Sequence, residues 1–354
     1  MGLHRSDLPA EVLAILQRGA VIPAHPLALD QNRQFDRRRQ RALTRYYVDA
    51  GSGGLAVGVH TTQFAIREIG LYEPVLRAAA ENAAAWTKRP LVMVAGVAGK
   101  TEQAVAESRI ARALGYHAVL VSMGALKGLD HAQLIAHCRA VADEMPIIGF
   151  YMQSAVGGID LDARFWQDFA SIDNVVAIKM APFNRYKTLD VMKGVVAAGA
   201  EGRITLYTGN DDHIVADLLT PFDIPRNGEI VRLRVKGGLL GHWSVWTRSA
   251  VELLLRIHAV ADAGSALPLE LAALDSRVTD CNAAFFDVAN NFHGCIAGCH
   301  EVLRRQGLLE TILCLDPAEG LSKGQADEID RVYAAHPDLA DDGFIAENLE
   351  KWLA

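Results

Sequence analysis

One lysine and one tyrosine stand at the ends of apolar runs in this chain, where reactive side chains are expected. Lys179 ends the run that begins at Val175, and Tyr151 ends the run that begins at Pro146. A lysine packed among apolar side chains is desolvated, which lowers the pKa of its amine. The neutral amine is the nucleophile that forms a Schiff base with a carbonyl substrate. The alternative is a lysine that reaches from the strand end into solvent.

Tyr151 lies 28 residues before Lys179, which is about the length of one βαβ unit. The two side chains are therefore predicted on neighbouring strand ends. A phenol in that place can relay protons to and from the reacting groups, and its removal is expected to slow turnover by roughly 10²–10⁴-fold. The alternative is a tyrosine that caps the core with its hydroxyl already bonded.

Two polar segments also follow apolar runs. Thr61 and Thr62 offer hydroxyls and backbone N–H groups that suit a small carboxylate, although an ordinary polar loop has the same composition. The other segment begins with Gly209 and Asn210. A glycine there permits a close approach of the backbone to a ligand, and a turn without further role is the alternative.

The elements that must position these residues are eight short apolar runs. They are continuous rather than alternating, which is typical of parallel strands buried on both faces. Helical patterns such as 37–50 and 101–114 separate them, and this alternation predicts an α/β fold, a (β/α)8 TIM barrel. A doubly wound open sheet is the rival, but it requires a glycine-rich turn where this chain has Pro23-Ala24-His25-Pro26. The runs cover residues 20–23, 54–57, 91–95, 118–121, 146–151, 175–179, 204–207 and 238–244.

The last part of the chain has a helical pattern. Apolar residues spaced three or four apart over 280–306 predict one long amphipathic helix, and shorter helices are predicted at 323–335 and 343–353. We therefore predict a catalytic barrel domain over residues 1–270 and a C-terminal helical region over residues 271–354. The basic stretch 220–237 precedes the last strand, and it is a candidate to fold over the barrel mouth.

Composition excludes several classes of protein. A chain of 354 residues with 51% hydrophobic residues can bury a large core, and its net charge of −7 does not favour nucleic-acid binding. No apolar run reaches the ~18 residues that span a bilayer, and residues 1–15 lack the apolar region of a secretory signal. An odd number of cysteines, 5, favours free thiols and a cytoplasmic location. Cys295 and Cys299 are spaced to share a metal, but they fall on an apolar stripe, so no metal is expected.

Five segments together resemble the dihydrodipicolinate synthase / N-acetylneuraminate lyase family of Schiff-base class I aldolases, in order and in spacing. The resemblance extends over about residues 15–265 and implies a barrel with a C-terminal helical extension, usually assembled as a tetramer. It implies that Lys179 forms the imine and that Tyr151 relays protons. It also gives Thr61 and Thr62 carboxylate-binding and relay roles, and it places Gly209 and Asn210 at the substrate. The segments are 47–55, 61–62, 146–151, 174–179 and 209–211.

The chain departs from the family pattern in several places. Gln63-Phe64 replaces the usual Gly-Glu, and Met152-Gln153-Ser154 replaces Asn-x-Pro. Val156 stands where the synthases of this family carry an arginine for the carboxylate of the aldehyde, and the segment 122–126 lacks their tyrosine pair. These departures predict a divergent member that keeps the 2-oxo acid half-site. Its acceptor is expected to be uncharged or aromatic rather than aspartate semialdehyde.

The predicted function is that of a lyase. Lys179 forms a Schiff base with pyruvate or a related 2-oxo acid, and a C–C bond is then made or broken. The alternatives are a hydratase-aldolase or a deoxy-sugar-acid dehydratase with the same lysine, and a non-catalytic regulatory protein that binds 2-oxo acids. The imine itself is the electron sink, so neither metal nor organic cofactor is expected. The expected partners are small-molecule substrates and copies of this chain, as a dimer or tetramer, and neither nucleic acid nor membrane. The sequence does not decide whether His25 and His242 line the pocket or lie in the core.

Overall fold

Each of the eight apolar runs overlaps a strand of one parallel barrel, and the eighth run continues past the strand end at Leu240 into the short helical turn His242–Ser244. The computed structural model describes residues 2–264 and 266–354. The barrel strands follow the order β1-β9-β7-β6-β5-β4-β3-β2, and a bridge between Ala24 and Ala56 joins the first strand to the second. The strands are β1 (Val21–Pro23), β2 (Gly54–Val57), β3 (Val92–Val97), β4 (Ala118–Val121), β5 (Ile147–Met152), β6 (Val175–Ala181), β7 (Thr205–Thr208), β8 (Pro221–Arg226) and β9 (Glu229–Leu240).

Helices surround the barrel and extend beyond it, as the alternating pattern predicted. The predicted (β/α)8 TIM barrel with C-terminal helices is thereby confirmed. Within the described part of the chain, no helix has both the length and the apolar character needed to cross a membrane. The helices are α1 (Ala10–Arg18), α2 (Arg37–Asp49), α3 (Tyr72–Trp86), α4 (Thr101–Ala113), α5 (His131–Ala142), α6 (Ala163–Ala170), α7 (Arg185–Ala197), α8 (Ile214–Leu219), α9 (Thr247–Ala263), α10 (Leu269–Phe285), α11 (Cys295–Arg305), α12 (Gln325–Ala335) and α13 (Asp342–Leu353).

Side chains from the strands alternate between two buried layers. Inward-facing residues such as Ile148 and Phe150 pack inside the barrel, where α1 contributes Leu16. Outward-facing residues such as Ile147 and Tyr151 pack in the layer between strands and helices. Because successive side chains of a strand point to opposite faces, neighbours in the sequence belong to different layers.

The basic stretch before the last strand is a hairpin rather than irregular chain. Strand β8 pairs with the first half of β9 in antiparallel register, and the second half of β9 completes the barrel. Arg232 forms an exposed ion pair with Asp223 at 2.7 Å. Arg234 precedes the barrel part of β9, and Lys236 lies near its start, between Val235 and Gly237, which pair with β7. The stretch therefore does not fold over the mouth, which lies at the carboxyl ends.

The predicted long helix over 280–306 is wrong, because two helices, α10 and α11, occupy this region. The chain breaks between them, where Asp287, Asn291 and Phe292 have φ of 55°, 54° and 65°. A right-handed helix cannot continue through left-handed residues. The break places Phe286, Phe292 and Cys295 over the barrel mouth.

The C-terminal helices share one core with the outer layer of the barrel. Trp352 of α13 lies against Tyr46 of α2, with the ring centroids 5.5 Å apart, and its indole N–H donates to Asp49 at 2.8 Å. The predicted helices near the C-terminus are found as α12 and α13. The division into domains at residue 270 stays a prediction.

Candidate active site

A pocket of about 620 Å³, including its open mouth, lies at the carboxyl ends of the strands. Reactive residues of barrel proteins are expected at this end. The titratable side chains on its wall are His60, Lys179, Asp211 and Cys295. The rest of the wall is mostly apolar and aromatic.

Lys179 lies on β6 and points into the pocket. Its side chain is buried, with the residue 8% exposed, and its Nζ lies 4.3 Å from the centroid of the Phe150 ring. Burial lowers the pKa of the amine to about 8, against the opposing charge of Asp211. An amine with such a pKa supplies a neutral nucleophile near neutral pH, as the sequence predicted.

Gly209 lines the pocket beside the stem of Lys179. A Cβ at this position would lie 2.5 Å from Lys179 Cε and 2.9 Å from Ala181 Cβ. The Gly209 N–H donates to the Met180 carbonyl at 2.7 Å, and this hydrogen bond holds the Gly209 backbone against β6. The glycine was predicted to admit a ligand, and in the structure it makes room for the Lys179 side chain.

Thr61 and Thr62 have different surroundings, although they are adjacent. Thr61 lines the pocket. Thr62 is fully buried, and its Oγ1 donates to the His25 carbonyl at 2.7 Å and accepts from the Gly58 N–H at 3.0 Å. The hydroxyl of Thr62 therefore braces the loop behind the pocket, and of the two threonines it is Thr61 that lines the pocket.

Tyr151 is on the outer face of β5, which corrects the expectation that its phenol stands beside the lysine. The residue paired with Lys179 across the strands is Phe150. The Tyr151 ring packs on Trp166 at 5.3 Å. Its hydroxyl lies 2.9 Å from the Leu161 carbonyl and accepts from the Leu161 N–H at 3.2 Å. Because neighbouring residues of a strand face opposite sides, the side chain that meets Lys179 carries no hydroxyl.

Asn210 is buried behind the pocket wall. Its Oδ1 accepts from the Phe183 N–H at 3.0 Å, and its Nδ2 donates to Asp217 at 2.9 Å. Phe183 lines the pocket and has φ of 50°. Asn210 thus holds a segment of the wall in place rather than contacting the pocket itself.

Two residues on the pocket wall were not chosen from the sequence. Asp211 is 5% exposed, and its Oδ1 accepts from the His242 N–H at 3.1 Å. Burial raises the pKa of Asp211 to about 7, although the charge of Lys179 opposes this rise. Burial, with a further contribution from Lys179, lowers the pKa of His60 to about 4. Both residues lie in segments that follow strands, and this position is the sequence signal that could have identified them.

The two histidines left open by the sequence lie outside the pocket wall. His25 is fully buried, with Nε2 2.9 Å from Thr44 Oγ1 and Nδ1 2.9 Å from the Pro26 carbonyl. The His242 ring lies against Phe285, with centroids 5.6 Å apart. Both are core histidines, and His242 contributes to the site through its backbone N–H.

Aromatic side chains cover the mouth. Phe183 and Phe292 meet edge to face, with centroids 5.9 Å apart, and Phe286 and Val156 also line the pocket. Because burial keeps His60 neutral near neutral pH, Lys179 is the cation among the described residues on this wall. The site thus combines one reactive amine, one carboxyl group and an apolar upper wall.

Known proteins share both the sequence pattern and the fold. N-acetylneuraminate lyase 2 of Escherichia coli O6:H1 is 20% identical over 316 residues, which cover 88% of this chain and 92% of the relative. The 4-hydroxy-tetrahydrodipicolinate synthase of Clostridium novyi is 29% identical over 130 residues, 36% of this chain and 42% of the relative.

Solved structures superpose over almost the whole chain. Dihydrodipicolinate synthase from Aquifex aeolicus has a TM-score of 0.72 at 19% identity, covering 91% of this chain and 99% of its own. CdNal from Clostridium difficile, solved with mannosamine, has a TM-score of 0.69 at 14% identity, covering 90% and 98%. The model of the dihydrodipicolinate synthetase family matches residues 17–222. Since this match spans more than half of the chain, the protein belongs to the dihydrodipicolinate synthetase family.

Proposed function

We propose that this protein is a lyase that forms a Schiff base between Lys179 and pyruvate or a related 2-oxo acid. The observation that carries the proposal is the buried amine of Lys179 at the base of a pocket. A buried ammonium is costly, so burial favours the neutral amine that attacks a ketone. Family membership supports the same chemistry.

Thr61 is proposed to bind the carboxylate of the 2-oxo acid. It lines the pocket and belongs to the short helical turn His60–Thr62. A hydroxyl and the backbone N–H groups of a turn suit a small anion. With the carboxylate held there, the keto carbon faces Lys179, and the iminium that forms withdraws electrons from the neighbouring carbon.

The acceptor is proposed to be an uncharged or aromatic aldehyde. Phe183, Phe286 and Phe292 surround the mouth, and Val156 lines it as well. Apolar surface of this kind contributes about 25 cal/mol per Å² buried. The basic residues of β9 lie at the opposite end of the barrel, so they supply no cation for a second carboxylate. The aromatic wall favours a hydratase-aldolase as the second candidate.

Borohydride trapping tests the nucleophile. Reduction in the presence of pyruvate is expected to add one pyruvyl unit to Lys179, located by intact mass and peptide mapping. Lys179→Arg is the control, because arginine stays protonated and forms no imine. An adduct on another lysine, or none with pyruvate or other 2-oxo acids, contradicts the proposal. An adduct without turnover of any aldehyde supports the regulatory alternative.

Steady-state kinetics test the acceptor. Aspartate semialdehyde is compared with neutral aliphatic and aromatic aldehydes of similar size, each with pyruvate. Higher kcat/KM for the neutral aldehydes is expected. A preference for aspartate semialdehyde, at an efficiency of roughly 10⁴ M⁻¹s⁻¹ or more, would contradict this assignment of the acceptor. A cytoplasmic location and a dimer or tetramer stay predictions.

A further inference from the structure

Imine formation requires an acid near the lysine, and the outer position of Tyr151 leaves that role without its predicted residue. The carbinolamine loses its hydroxyl as water only if a proton is supplied. Phe150, which faces Lys179, has no proton to give. The proton must therefore come from another group that shares the pocket with Lys179.

Asp211 is the carboxyl group among the described residues that line the pocket with Lys179. It follows β7, the neighbour of β6 in the barrel, and it is two residues from Gly209, which packs on the stem of Lys179. The His242 N–H at 3.1 Å holds one of its oxygens. Among the described residues, no ion pair or hydrogen bond engages Lys179 Nζ, so space remains for a reacting atom.

We propose that Asp211 is the acid–base catalyst for the Schiff base on Lys179, an inference that rests on the proposed function. The Lys179 ammonium first loses a proton and the Asp211 carboxylate gains one, with water in the open pocket as the carrier, which leaves a neutral amine and a carboxylic acid. The amine then attacks the keto carbon. A C–N bond forms, the C–O double bond opens, and the nitrogen's proton passes to the oxygen.

Asp211 completes the dehydration. Its carboxylic acid gives a proton to the carbinolamine hydroxyl, the C–O bond breaks, and water leaves. The nitrogen lone pair becomes the second C–N bond. The products are an iminium cation and a carboxylate, so the charges equal those of the starting pair and no further reactant is consumed. The net charge of the pocket is unchanged through the step, so no additional unpaired charge is placed in a buried site.

The other titratable groups around Asp211 do not match this role. Burial lowers the pKa of His60 and of His242 to about 4, so neither is an acid near neutral pH. Burial raises the pKa of the Cys295 thiol well above its usual value and that of Cys299 to about 12. Asp212 is exposed and outside the pocket wall.

The pH dependence of imine formation tests the proposal on the wild-type protein. Timed samples with pyruvate are quenched into excess borohydride, and the adduct is measured by intact mass. The reactive form of the pair holds one proton, so the rate is expected to pass through a maximum near neutral pH and to fall on both sides. The two apparent pKa values that bound this maximum belong to the pair rather than to either residue. A rate that rises with pH to a plateau would overturn the proposal.

Asp211→Asn separates acid catalysis from a charge effect. Loss of the carboxylate lowers the pKa of Lys179 and makes its amine more often neutral, so acetylation of Lys179 by acetic anhydride is expected to be no slower. Imine formation is nevertheless expected to slow by roughly 10²–10⁴-fold and to lose its maximum. Asp212→Asn is the matched control. Imine formation by Asp211→Asn at the wild-type rate or faster would overturn the proposal.

The failure of this inference is distinguishable from failure of the proposed function. If wild-type protein forms no adduct with any 2-oxo acid, the lysine assignment itself fails. If the adduct forms but its rate rises with pH to a plateau, and Asp211→Asn forms it at the wild-type rate, Lys179 keeps its role and Asp211 loses its own. Should Asp211→Asn not fold, the wild-type pH profile still decides.

Discussion

The two faces of β5 and β6 carry adjacent residues with unlike surroundings. On the inner face, Phe150 and Lys179 are paired and border the pocket. On the outer face, Tyr151 and Met180 are paired and pack in the layer beneath the helices. Tyr151 can donate a proton and Phe150 cannot, yet the Tyr151 phenol is on the face that has no access to the pocket.

The same division separates the other candidate residues. Thr61 and Gly209 reach the pocket, while Thr62 and Asn210 are fully engaged in hydrogen bonds behind it. Polar side chains with satisfied bonds stabilise the wall, because an unpaired buried group is costly. Side chains on the wall with space in front of them are the ones available for substrate.

Gly209→Ala is expected to have the largest effect on the pocket face. The added Cβ would lie 2.5 Å from Lys179 Cε, so the lysine must move away from its position. A displacement of about 1 Å can cost 10²-fold in rate, and adduct formation with pyruvate is expected to slow by about that factor. Gly202→Ala, where a Cβ meets nothing within 4 Å, is the control. Equal rates for the two variants would show that Gly209 does not position the amine.

Thr62→Val is expected to reduce stability more than catalysis. The substitution leaves the buried His25 carbonyl and Gly58 N–H without their partner, at a cost of about 1–3 kcal/mol. Urea denaturation measures the loss, and the KM for the 2-oxo acid is expected to change little. Thr61→Val is the comparison, with the KM raised. A raised KM for Thr62→Val together with an unchanged KM for Thr61→Val would place Thr62 at the substrate.

Tyr151→Phe is expected to have the smallest effect. The hydroxyl bonds Leu161 on the outer face, so its removal costs about 0.5–1.5 kcal/mol of stability. The turnover number is expected to stay near the wild-type value. Slowing by roughly 10²-fold or more, without loss of folded protein, would show that the phenol takes part in the reaction.

The sequence by itself determined the barrel and the place of the lysine. Continuous apolar runs with helical segments between them specify buried parallel strands, and each run overlaps a strand of the structure. Lys179 was identified because it ends such a run, where the reactive groups of a parallel barrel are expected. The apolar spacing also predicted the C-terminal helices, although not the break near Asp287, where this spacing continues across residues with positive φ.

Only the tertiary structure decided which residues face the pocket. A strand buried on both faces shows no alternation of polar and apolar residues, so the sequence does not distinguish Phe150 from Tyr151. The pairing of Phe150 with Lys179 resolves this, because residues at one level of neighbouring strands share a face. The position of Asp211 on the same pocket wall as Lys179 likewise arises only when β6 and β7 lie side by side.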